Sequence, residues 1–138
     1  MKSPQDIFAF EYQIQAFQDG NFKELKRQRQ MTWTQLLSVL AKRFETAMPE
    51  ENFGICLNEY LNQAGLEDAR LELPRAHAVA CAQINQTALF RIKKQMQSQG
   101  WIVPTQTEQS YSLWKVTAKA QKLLLSYKWS HRGTRLRA

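Results

Sequence analysis

Between Asn85 and Lys94 the sequence NQTALFRIKK sets side chains suited to reading nucleic acid at helical spacing. Gln86 can bond adenine bidentately through N6 and N7, and Arg91 can do the same to guanine through O6 and N7. Thr87 can bond a phosphate or touch a thymine methyl. Lys93, Lys94 and, further upstream, Arg75 are the residue types that hold phosphates and so set register and affinity rather than sequence. Phe90 falls in the same outward row. For Phe90 two uses stand open: packing on thymine methyls, or a surface for another protein. A slip of one residue in register would make it core.

These groups need a rigid carrier, and the flanking residues supply one. Asn85 suits an N-cap, because its side-chain oxygen can accept a free N–H of the first turn. Leu89, Ile92 and Met96 recur on the opposite face, and Gly100 offers the left-handed conformation of a C-terminal cap. Trp101–Val103 and Leu113–Val116 read as two strands around a polar loop, Pro104–Ser112. Thr117 can cap a last helix beginning AKAQKLLL. Ahead of Asn85, Pro74 suits a first helical turn, and Arg75 to about Gln83 reads as a short helix with Ala78, Val79 and Ala82 packing closely. Two helices joined by a tight turn make a helix-turn-helix.

Further upstream four more helical segments are expected. Pro4–Gln18 is broken by Asp19-Gly20-Asn21, and Phe22–Gln30 is strongly basic through Lys23, Lys26, Arg27 and Arg29. Thr32–Met48 carries the stripe Trp33, Leu36, Leu37, Leu40 and Phe44. Glu50–Ala64 is stopped by Gly65, and an acidic connector follows from Leu66 to Leu73.

Charge is unevenly shared. Residues 1–72 hold 8 basic and 11 acidic side chains, whereas residues 73–138 hold 11 basic ones and a single acid, Glu108. The second half therefore carries +10 against −3 for the first, within a total of +7. A surface of that kind favours a polyanion. Cys56 and Cys81 lack metal-ligand spacing and read as ordinary thiols. His77 reads as a surface residue and His131 as part of a basic tail. Nothing resembles a nucleophile, an acid/base pair, a metal site or a phosphate-cradling loop, so neither an enzyme nor a cofactor is expected. No apolar run is long enough for a membrane span and no secretory signal opens the chain, so the cytoplasm is the expected compartment.

The stretch from about Arg75 to Leu125 resembles the winged-helix core of MarR-type bacterial transcriptional regulators. Gly100-Trp101-Ile102 matches the glycine and apolar pair that close the family's recognition helix. Val116-Thr117-Ala118-Lys119-Ala120-Gln121-Lys122-Leu123 matches the start of its last helix, with Ala120 where glycine is usual. The resemblance implies a mainly α fold with a small β-hairpin, a winged helix-turn-helix flanked by N- and C-terminal helices. Residues 1–72 would then be a helical region for core support or dimerisation, 73–128 the winged helix-turn-helix, and 129–138 a basic tail, all in one compact domain. It also implies a homodimeric repressor that binds double-stranded DNA, with Gln86, Thr87, Ala88, Phe90, Arg91 and Lys94 facing the major groove. The loop between the wing strands departs from the family, carrying Glu108 and Tyr111 where arginine is typical. Two alternatives stay in view: a winged helix used for protein contact in a larger assembly, and a non-specific DNA-binding accessory factor.

Overall fold

A computed structural model describes residues 3–106 and 112–135, with side chains for 3–105 and 113–126. Among these residues the chain forms an α/β fold, not a mainly α one. Its order is β1 (Ile7–Gln18), β2 (Asn21–Thr32), α1 (Trp33–Ala41), β3 (Met48–Pro49), α2 (Asn52–Arg70), β4 (Ala78–Ile84), α3 (Gln86–Ser98), β5 (Ile102–Gln106), β6 (Ser112–Val116) and α4 (Ala118–Arg135). The strands make two antiparallel sheets, ordered β2-β1-β4 and β3-β6-β5.

The largest correction falls on the N-terminus, where both expected helices are strands. In IFAFEYQIQAFQ the residues Phe10, Tyr12, Ile14 and Ala16 are buried at alternate positions, while Glu11 and Gln13 between them are exposed. That is the two-residue period of a half-buried strand, in a segment rich in aromatic residues. Asp19 (φ 53°) and Gly20 (φ 80°) form the two-residue turn, both left-handed as a type I′ hairpin requires. β2 continues the alternation, with Leu25 and Met31 buried and Lys26, Gln28 and Gln30 exposed.

A second correction removes the first helix of the expected helix-turn-helix. Arg75–Gln83 is a turn followed by β4, which pairs with β1 from Phe17↔Ala78 to Tyr12↔Ile84. The pairing also ties residues before and after position 72 into one sheet. Cys81, at φ 56°, sits where the register shifts by one residue, a β-bulge.

The other edge of β4 is closed by side chains of α2. Asn62 Oδ1 accepts from Ala82 N–H and Asn58 Oδ1 from Ile84 N–H, both at 2.8 Å. A helix rises roughly 6 Å over four residues and a strand roughly 6.6 Å over two, so the two spacings match. α2 runs on through Gly65 to Arg70, which absorbs most of the expected acidic connector. Gly65 is needed for packing rather than for ending the helix: a Cβ there would lie 2.5 Å from Ile14 Cδ1 and 3.3 Å from the Tyr12 hydroxyl. Gly65→Val is therefore expected to destabilise the fold by about 1–3 kcal/mol, read as a lower midpoint in urea. An unchanged midpoint would mean that α2 does not lie this close on β1.

Other elements run nearer to expectation. A capping box opens α1: Thr32 Oγ1 accepts from Gln35 N–H (3.1 Å), and Gln35 Oε1 accepts from Thr32 N–H (2.9 Å). The helix stops at Ala41, short of Met48, which lies in β3. Phe44 in the intervening turn stacks on Phe53 of α2 with ring centroids 4.5 Å apart. The hairpin β5–β6 and the last helix are present, with α4 helical through Arg135 where a tail from residue 129 is expected. The tip of the hairpin, 107–111, lies outside the described residues, and with it Glu108 and Tyr111.

Candidate nucleic-acid surface on the third helix

The helix between Gln86 and Ser98 is held at both ends by its own sequence. Asn85 Oδ1 accepts from Ala88 N–H at 3.0 Å, the expected N-cap. At the far end Gly100 (φ 72°) donates to Gln97 C=O at 3.0 Å and Trp101 N–H to Met96 C=O at 2.9 Å. That pair of bonds is a Schellman motif. Thr117 ties the hairpin to this end: its hydroxyl donates to Gly100 C=O (2.7 Å) and accepts from Ala120 N–H (3.3 Å).

Ala88, Ile92 and Met96 are buried, and Leu89 is half-buried close to Gly54 of α2. Gln86, Thr87, Phe90, Arg91 and Lys94 form the exposed row, with Phe90 58% accessible. Ala88 is thus a core residue and not part of the outer surface. Lys93 turns toward α2, paired with Glu50 at 3.1 Å and lying 6.0 Å from the Phe53 ring centre. Arg75 is remote: it pairs with Asp19 at the hairpin tip (2.8 Å). From there to Glu11, beside the start of α3, β1 rises roughly 26 Å. Of the eight expected contact residues, five share one face: Gln86, Thr87, Phe90, Arg91 and Lys94.

A row of grooves runs along this face. One of about 490 Å³ lies between α3 and the start of β1, lined by Phe8, Trp33, Phe90, Arg91, Lys94 and Gln95, among others. It shares Phe8 and Arg91 with a smaller one that reaches Asn85 and Thr87. That in turn shares Glu11 and Asn85 with a third, which extends to Gln13, Lys26 and Gln83 on the open face of the first sheet. Sequence reasoning missed this contribution, because it placed Phe8 and Gln13 in a helix.

Comparison with models of known protein families, with curated proteins and with solved structures finds no match for this chain. The surface must therefore be judged on its own chemistry.

Two of the four cations of β2 show what the surface of α3 is not. Arg27 and Arg29 turn toward α2 and the turn after it, pairing with Glu72 (3.8 Å) and Asp68 (3.0 Å) respectively. Arg29 also lies against Tyr60, its guanidinium carbon 5.6 Å from the ring centre. Asp68 accepts a 2.5 Å hydrogen bond from the buried Tyr12 hydroxyl as well. Burial, and after it the bond to Asp68, push the Tyr12 hydroxyl well above the usual tyrosine value. A raised folded-state value favours the native state while the phenol is protonated. That contribution is whole below about pH 10, the ordinary tyrosine value, and is lost as pH rises from there toward the folded value. Stability is expected to fall by up to about 1.4 kcal/mol per pH unit above pH 10 relative to Tyr12→Phe. Parallel denaturation curves for both proteins from pH 9 to 11 check this; equal slopes would contradict it.

Between α1 and α2 lies a separate cleft of about 420 Å³, which the sequence did not suggest. Its Cys56 thiol donates to Val39 C=O at 3.3 Å. Burial raises the thiol's pKa against the lowering effect of Arg43, so it is held protonated and is a poor nucleophile. Cys81 is exposed at its bulge. Trp101 is buried and Trp114 half-buried against Phe53, at 5.9 Å between ring centres. His77 is exposed, and its backbone N–H donates to Phe17 C=O. Among the described residues no group of three or more His, Cys, Asp or Glu is placed to hold a metal. No helix among them is long and apolar enough to cross a membrane.

Proposed function

We propose that the chain binds double-stranded DNA through the exposed face of α3 and regulates transcription. One observation carries the reading. Like Lys23, Lys26, Lys42 and Lys122, Arg91 and Lys94 are exposed and make no ion pair among the described residues, so it is their position that counts. These two share a single solvent-facing row with Gln86 and Thr87. Arg91 and Gln86 are suited to base edges, and Lys94 to phosphate. The Gln86 and Thr87 N–H groups at the helix start add partial positive charge for a phosphate.

The protein acts as a cytoplasmic homodimer in this reading, because a two-fold assembly on a near-palindromic site doubles the contacts of each helix. Selection of bound duplexes from a random pool tests it. Enrichment of a repeated half-site is the expected result, with affinity falling steeply as salt rises. No binding to any duplex at low salt overturns it. Binding without enrichment points instead to a non-specific accessory factor. A second reading rests on Phe90, exposed in the middle of the same row: the face meets another protein. Binding that is insensitive to salt and lost with Phe90→Ala would favour that use.

A further inference from the structure

We propose that the groove between α3 and the start of β1 binds a nucleotide, with the base against Phe90 and the phosphate held by Arg91 and Lys94. The proposal deepens the DNA-binding reading and rests on α3 facing nucleic acid. Four features lead to it. The groove's volume of about 490 Å³ falls within the roughly 300–1,000 Å³ usual for small-molecule sites. Its exposed ring is Phe90, with Phe8 packed on the buried Trp33 across from it, so a ligand with a flat apolar face suits it. Among the described residues that line it, the charged ones are Arg91 and Lys94, which suits an anionic ligand. Gln95 and Ser98 supply donors and acceptors for the edge of a ring.

Stacking on an aromatic beside a cationic track is how sequence-tolerant nucleotide sites gain affinity, since every base has a π-face. Lys94 Nζ lies 5.4 Å from the centre of the Phe90 ring. A base taking that ring face would leave the ammonium beside its own phosphate. Such a nucleotide has two sources: a base drawn out of a DNA strand bound on α3, or a free nucleotide acting as an effector. In the second case the ligand would occupy Arg91 and Lys94 and compete with DNA.

Two measurements on the full chain test the site and separate the sources. In the first, fluorescence anisotropy compares a fully paired duplex with the same duplex carrying one unpaired base. In the second, calorimetry measures AMP and ATP directly. A base-capture site should prefer the unpaired duplex about tenfold, because the cost of unstacking is already met. Phe90→Ala should erase that preference and Phe90→Tyr keep it; Phe90 is exposed, so a loss of fold is not expected, and circular dichroism checks it. An effector site should instead bind AMP or ATP and lose that binding in Phe90→Ala. No preference for the unpaired base together with no nucleotide binding overturns the proposal, even if the paired duplex binds. Nucleotide binding without any duplex binding would sustain the groove and remove the DNA reading.

Discussion

The double variant Arg91→Ala/Lys94→Ala is expected to bind its selected duplex about a hundredfold more weakly than the wild type, from roughly 1–3 kcal/mol for a base-reading arginine and a further phosphate contact. Both side chains are exposed and neither makes an ion pair among the described residues, so their removal should leave the thermal midpoint in place. The single variants divide the two roles. Arg91→Ala should weaken binding and relax preference at one base pair. Lys94→Ala should weaken all sequences alike and flatten the salt dependence by about one unit of slope. A charge-matched control, Lys42→Ala/Lys122→Ala, removes two exposed cations from α1's end and from α4. Equal losses in control and test would mean that net charge, and not this face, governs binding.

Asp68→Ala should produce the largest loss of stability, about 2–4 kcal/mol. The carboxylate is 15% exposed and the Arg29 side chain 19%, so their attraction is only partly screened. Truncating Asp68 leaves Arg29 without its charge partner and the Tyr12 hydroxyl without its acceptor. Tyr12 on β1, Arg29 on β2 and Asp68 on α2 come from three elements, so this cluster pins the helix across the sheet. Asp68→Asn should cost less, since its amide oxygen still accepts from Tyr12. Urea denaturation of the two variants checks the order. A loss below about 0.5 kcal/mol for Asp68→Ala would mean that the cluster is satisfied by water instead.

The parts that were legible in the sequence are those whose signals are local. Asn85 and Gly100 bracket α3 because capping chemistry acts within one turn, and a helix from about residue 86 to the hairpin beyond it follows from them. The misread part is the N-terminal hairpin. Apolar residues at Ile7, Phe8, Tyr12, Ile14 and Phe17 satisfy a loose helical stripe, but Phe8, Phe10, Tyr12, Ile14 and Ala16 satisfy a strict alternation better. Asp19-Gly20, read as a helix breaker, is also the turn dipeptide that fixes a two-residue hairpin. Giving weight to that dipeptide and to the aromatic content would have turned two helices into two strands.

By itself the sequence determined α3, its two caps, its outward row and the excess of positive charge after residue 72. Only the tertiary structure decided which cations are available to a partner. Arg27, Arg29, Arg75 and Lys93 look as basic in sequence as Arg91 and Lys94, yet each is drawn to a carboxylate at a sequence distance of 39 residues or more. Such pairings depend on which strand faces which helix, and no local pattern encodes that. The fold also decided that the segment before α3 is a strand. β4 has small side chains at Ala78, Ala80, Cys81 and Ala82 that tolerate either conformation, and it is settled by β1 on one edge and by Asn58 and Asn62 on the other.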